Sequence, residues 1–95
     1  MSATVTLTAE SRPGISPHAR LKQDNTRGGW VLLAPERVVL LDKVATEVLE
    51  LCDGARSIGA IADLLAARHS APRAEVLGDV IEMLQNLRDK GLLTT

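Results

Sequence analysis

Aromatic side chains are nearly missing from this sequence: Trp30 stands alone, with no Phe and no Tyr in 95 residues. Single-stranded nucleic acids are held on platforms of several stacking rings, so one ring excludes that mode of binding. Aliphatic residues must build the core almost unaided. Cysteine is as scarce: Cys52 is the only one, which rules out an internal disulfide and a thiolate-rich metal site and fits a reducing compartment. The formal net charge is −1, with acids and bases mixed along the chain, so nothing attracts a phosphate backbone or an anionic lipid surface. No apolar run approaches membrane-spanning length; the densest, Trp30 to Ala34, is strand-sized. Met1 to Glu10 has neither the basic start nor the continuous apolar segment of a secretory signal. The expectation is a soluble, cytoplasmic protein.

What is present fits one modest domain. The composition, 45% hydrophobic and 24% charged, is that of a globular chain. Residues 1–16 lack clear periodicity and read as a flexible tail, which leaves 17–95 as the folded unit. Arg20 to Asp24 alternates polar and apolar residues, and Asn25-Thr26-Arg27-Gly28-Gly29 suits a tight reversal. Trp30 to Ala34 follows, then the Pro35-Glu36 turn, then Arg37 to Leu41. Short connections of this kind make an antiparallel meander without a crossover helix.

The apolar period then changes from two to that of a helix. Asp42 can cap a helix starting at Lys43, with Val44, Val48 and Cys52 four apart, Ala45 and Leu49 widening the face, and Gly54 beyond its end. Ser57 is a second N-cap, before the stripe Ile58, Ile61, Ala62 and Leu65, which fades near His69. After Pro72 a third helix carries Val76, Val80, Met83, Leu84 and Leu87 on one face, with Leu77 and Ile81 beside it and Gly91 as its stop. Leu92 and Leu93 are placed to fold back onto the core. The fold class read from this order is α+β and winged helix-turn-helix-like: a three-stranded antiparallel sheet followed by three helices.

Such a fold raises a DNA-binding reading, and charge opposes it. From Pro72 to Lys90 the bases Arg73, Arg88 and Lys90 are outnumbered by Glu75, Asp79, Glu82 and Asp89, the reverse of what phosphate contact needs. Catalysis finds no better footing. His18 sits beside Pro17 in the expected tail and His69 at a helix end, where a solvated or capping role suffices. Cys52 lies on an apolar helical face and reads as a small core residue. Gly28-Gly29 precedes a strand where a phosphate-binding loop precedes a helix. No catalytic residue, cofactor or metal ligand is indicated, and an interaction surface remains.

One run of residues is more specific than these patterns. Leu32-Leu33-Ala34-Pro35-Glu36-Arg37, then Leu41-Asp42, Ala45, Leu49, Asp53-Gly54, Arg56 and Ile61, resemble the signature of the PqqD family in order and spacing. Asp79-Val80, Leu84, Leu87 and Gly91-Leu92 continue the resemblance, which covers about Leu21 to Leu93. It implies a peptide chaperone that binds the ribosomal precursor PqqA and presents it to the radical SAM enzyme PqqE in pyrroloquinoline quinone biosynthesis. A recognition element for another peptide-modification pathway shares the same pattern. The resemblance further implies that a peptide docks beside the third strand of the meander and against the third helix. Adding a strand to an open sheet edge satisfies its unpaired N–H and C=O groups while side-chain pockets select sequence. The corresponding candidates are Val38, Val39, Leu40 and Leu41 on the strand and Val76, Val80, Met83, Leu84 and Leu87 on the helix, the apolar ones serving core or peptide. Glu36, Arg37 and Asp79 are candidates for partner contact or a structural role. The same open edge can pair with a second copy into a homodimer.

Overall fold

A computed structural model of the chain describes residues 6–25 and 28–95. Its elements are β1 (Gly14–Ile15), β2 (Arg20–Asp24), β3 (Gly29–Ala34), β4 (Arg37–Leu41), α1 (Lys43–Glu50), α2 (Ile58–His69), α3 (Arg73–Asp89) and β5 (Leu93–Thr94). β2, β3 and β4 form the expected antiparallel meander with β3 in the middle. Gly28, with φ at +74°, supplies the left-handed position that closes the first hairpin. Thr26 and Arg27 of that turn lie outside the described residues. The Pro35-Glu36 turn pairs Ala34 with Arg37 and sets the register Leu33 to Val38, Leu32 to Val39 and Val31 to Leu40.

Both expected caps are present. The Asp42 carboxylate accepts the Ala45 N–H at 2.7 Å, and the Ser57 hydroxyl oxygen accepts the Ala60 N–H at 3.1 Å. These bonds satisfy donors that have no partner inside the first helical turn. On α1 the inward face differs from the expected four-apart row. Val48, Leu49 and Cys52 are buried but Val44 is 52% exposed. Thr46 turns inward in its place, its hydroxyl donating to the Asp42 carbonyl at 2.9 Å. The face centres on Ala45 and Leu49, and Val44 falls at its margin in the first turn.

One contiguous core joins the elements: Leu32 from the sheet, Val48 and Leu49 from α1, Ile58, Ile61 and Leu65 from α2, and Val80, Leu84 and Leu87 from α3. Leu92 and Leu93 complete it, folded back as expected. α2 and α3 are further tied by the Asp63–Arg73 ion pair, and the end of α2 is tied to α1 by Glu47, which meets Arg68 at 3.5 Å and His69 at 3.2 Å.

The amino-terminal segment departs from the expectation of a free tail. Residues 1–5 lie outside the described residues, but from residue 6 the chain is strapped across the helices. Leu7 is 3% exposed and its N–H donates to Gln85 Oε1 of α3 at 2.8 Å. The carbonyls of Ser11 and Ala9 accept the Ile58 and Gly59 N–H groups, both at 2.8 Å. Those are the opening donors of α2, which otherwise have no intrahelical partner. Gly59 is what lets the strap come so close, since a Cβ there would stand 3.3 Å from the Ala9 carbonyl oxygen. Pro13 accepts from the Gly54 N–H, and β1 then pairs antiparallel with β5. The strap is secured by hydrogen bonds to distant partners, among them Arg12 donating to the Ala55 carbonyl, and by the buried Leu7 and Pro13, none of which leaves a periodic trace in sequence.

Candidate functional site

β4 lies at one margin of the meander, with β3 on one side and, among the described residues, no strand on the other. A two-residue hairpin is closed by a hydrogen-bonded pair, and such pairs recur at every second position along an antiparallel ladder. Starting from Ala34–Arg37, they fall at Leu32–Val39 and Trp30–Leu41. The backbone N–H and C=O groups of Val38 and Leu40 therefore point to the open side of β4. The opposite margin, β2, is polar, with Arg20, Lys22, Gln23 and Asp24, and charged edges of this kind discourage strand addition. β4 combines an open edge with an apolar sequence.

Alternation divides its side chains between two faces. Val39 and Leu41 turn inward and pack, half-buried, against the core. Val38 and Leu40 turn outward and are 61% and 60% exposed. On α3 the expected helix candidates separate by depth. Val80, Leu84 and Leu87 are fully buried and belong to the core, so none presents an open surface. Val76 and Met83 flank that face, half-buried against the same cluster that receives Val39 and Leu41. Of the expected contacts, the structure thus leaves Val38 and Leu40 exposed on the strand and Val39, Leu41, Val76 and Met83 half-buried. Glu36 and Arg37 are exposed and, among the described residues, make no ion pair with each other. Asp79 is exposed on α3 and bonds to no neighbouring loop among them.

The groups suited to covalent or metal chemistry are otherwise engaged. Cys52 is buried, its thiol directed at the Val48 carbonyl at 3.2 Å. Burial, and then the negative charge of Asp53, push its pKa up to about 12, so at neutral pH it is a thiol and a poor nucleophile. His69 leans on Glu47 at the surface. Among the described residues, no group of three His, Cys, Asp or Glu side chains is arranged to hold a metal ion, and no helix is long and apolar enough to cross a membrane. Asp53 caps the loop after α1, accepting the Ala55 and Arg56 N–H groups at 3.0 and 2.8 Å. Those bonds hold its carboxyl below the ordinary carboxylate range.

Residues outside the initial candidates border β4. On the outer face the half-buried Leu33 of β3 stands directly across from Val38, and Val31, across from Leu40, is buried. Residue parity carries this pairing once the register is known; the sequence alone, an unbroken Val38-Val39-Leu40-Leu41 run, does not show which residues share a face.

Known proteins resemble this chain in both sequence and fold. The family model described as Coenzyme PQQ synthesis protein D (PqqD) matches residues 29–93. A PqqA binding protein of Rhodopseudomonas palustris (strain BisB5) is 54% identical over 93 residues, spanning 98% of this chain and 91% of the relative. A PqqA binding protein of Xanthomonas axonopodis pv. citri is 48% identical over 87 residues, 92% of this chain and 95% of the relative. The solution NMR structure of the PqqD truncation of Methylobacterium extorquens PqqCD, described as a functional and stand-alone recognition element for ribosomally synthesized, post-translationally modified peptides, superposes with a TM-score of 0.82 at 35% identity, over 94% of this chain and 95% of that one. The crystal structure of PqqD from Xanthomonas campestris gives a TM-score of 0.61 at 43% identity, over 95% of this chain and all of that one.

Proposed function

The chain belongs to the PqqD family, and on that footing we propose that it is a peptide chaperone of pyrroloquinoline quinone biosynthesis. It captures the precursor PqqA by strand addition along β4 and presents it to the radical SAM enzyme PqqE, performing no turnover of its own. It acts in the cytoplasm, where a ribosomal peptide is made. The observation that carries this reading is the open β4 edge, whose outward backbone groups belong to Val38 and Leu40. Relatives along nearly the whole chain that are called PqqA binding proteins supply the peptide's identity.

In this mechanism the peptide's main chain satisfies the free N–H and C=O groups of β4, each new bond contributing about 0.5–1.5 kcal/mol net. Its inward side chains meet the half-buried flank of α3 at Val76 and Met83. Methionine suits such a place, because its unbranched thioether adapts to different neighbours. Ordering a flexible peptide offsets part of the gain. The chaperone's contribution is to deliver one restricted, extended conformation to the enzyme.

The test is a calorimetric titration of the purified protein with synthetic PqqA, against a scrambled peptide of equal composition. Saturable binding of the native peptide alone is expected. Absence of binding, with PqqE present as well as without it, would assign the chain to another peptide-modifying pathway. Tight and strongly salt-dependent binding to duplex DNA would overturn the reading altogether, and the exposed Glu75, Asp79, Glu82 and Asp89 on α3 oppose it.

A further inference from the structure

α3 has different neighbours on its two flanks. Val76 and Gln85 are nine positions apart, about two and a half turns, so they stand on opposite sides of the helix, and Met83 falls close to the Val76 side. Val76 and Met83 are the half-buried pair available to a peptide on β4. Gln85 meets the amino-terminal strap on the far side. Its side-chain oxygen accepts the Leu7 N–H at 2.8 Å, and its amide nitrogen donates to Asp89 Oδ1 at 3.0 Å. With both ends of the amide engaged, the orientation of Gln85 is fixed. Beside this bond the Leu7 side chain enters the core cluster that holds Val80, Leu84 and Leu87.

The strap is anchored at several further points. Ala9 and Ser11 accept from the opening N–H groups of α2, Pro13 accepts from Gly54, and Ser16 donates to the Leu92 carbonyl just beyond α3. It therefore runs from the start of α2 to the second half of α3 as a brace between them. The peptide-facing flank has no counterpart: among the described residues, no hydrogen bond or ion pair joins α3 to β4. The spacing of Val76 and Met83 from β4 is thus set by core packing and by what holds α3 on its other sides. That spacing is demanding. An added strand lies about 4.8 Å from β4, and a gap of about 0.5–1 Å beneath its side chains forfeits roughly a quarter to a half of their dispersion attraction.

We propose that Gln85 is a positioning residue for peptide capture: through its bond to Leu7 the strap braces α3 from behind and holds Val76 and Met83 at the spacing from β4 that an added strand requires. This rests on the peptide-capture reading, since it concerns the same groove. Gln85 touches no peptide itself. It acts through α3, and the strap, which lies outside the sheet and the three helices, becomes part of the binding machinery. Because the brace and the peptide favour the same placement of α3, each strengthens the other by the same factor.

Two variants of the full chain separate positioning from stability. Gln85→Met keeps the length and bulk of the side chain and removes the acceptor for the Leu7 N–H. The double variant Q85E/D89N keeps that acceptor, the local formal charge and a hydrogen bond between the two positions. Affinity for synthetic PqqA is measured by calorimetry well below each melting transition, where lost stability alone leaves the folded fraction and therefore the affinity unchanged. Gln85→Met is expected to weaken binding roughly fivefold or more, and Q85E/D89N to stay within about twofold of wild type. A measurement on the wild type needs no variant to fold: hydrogen exchange at the Leu7 amide is expected to slow several-fold when peptide saturates the groove, because peptide binding must reciprocally favour the closed brace. Wild-type affinity in Gln85→Met overturns the inference, as does equal loss in both variants or Leu7 exchange that ignores the peptide. Wild-type protein that binds no peptide removes the proposed function, and this inference with it.

Discussion

Single residues carry consequences that their local surroundings decide. Cys52 binds its proton more tightly in the folded chain, where its pKa rises from 9.0 to about 12 through burial first and the Asp53 charge second. The stability tied to that difference is intact below pH 9 and is lost as pH climbs from there towards 12. Urea unfolding midpoints across that range are expected to fall for the wild type more than for Cys52→Ala, and a thiol reagent at neutral pH is expected to label Cys52 only after unfolding. Asp53 has the opposite sign. Its lowered pKa means that its contribution is present above the ordinary carboxylate range and disappears as acid protonates the folded form. At the start of α2, Ser57→Ala removes the acceptor for the Ala60 N–H and is expected to cost about 1 kcal/mol in denaturant unfolding. Both caps were legible in the sequence because a cap needs only a suitable side chain three residues from its donor. Val44 was misread because a four-apart row marks a helix face without saying where its centre lies.

At the scale of elements, the meander and the three helices could be read from changes of period and from turn residues. The division of labour within β4 could not. A run of four aliphatic residues has no alternation to betray which side is wet, and only the Pro35-Glu36 turn, by setting the register, sends Val39 and Leu41 inward and Val38 and Leu40 outward. The same pairing tells the backbone groups apart, which gives a sharp test of strand addition. Leu40→Pro deletes an outward N–H without touching the ladder to β3, and proline is tolerated at such edge positions. Peptide binding is expected to weaken by about 1 kcal/mol or more, with circular dichroism and the melting transition little altered. Val39→Pro removes a donor to β3 and is expected to lower the melting temperature as well. Equal loss of peptide affinity in both, at equal cost in stability, would argue that the peptide does not add to this edge. α3 was legible as amphipathic, yet the depth of its residues depends on what packs above them: Val80, Leu84 and Leu87 go to the core, and Val76 and Met83 stay at its flank.

Across the whole molecule, the least legible part was the amino-terminal strap. Leu7, the Ala9 and Ser11 carbonyls and the Gly14–Ile15 strand all find partners that are distant in sequence, Leu7 at a separation of 78 positions from Gln85, and nothing within a short window announces them. Leu7→Ala is expected to destabilise the domain by about 2–4 kcal/mol in denaturant unfolding, as for other buried leucines. Removing residues 1–11 is expected to do more, because it also strips the acceptors from the Ile58 and Gly59 N–H groups. The clasp between β1 and β5 has a temporal counterpart during protein synthesis. Gly14 leaves the ribosome well ahead of its partner Thr94, which is 80 positions behind it. At translation rates of about 5–20 residues per second, the strap waits several seconds without its last strand. The domain therefore closes only once nearly all of it has been translated, and until then the nascent chain leaves its two ends unjoined.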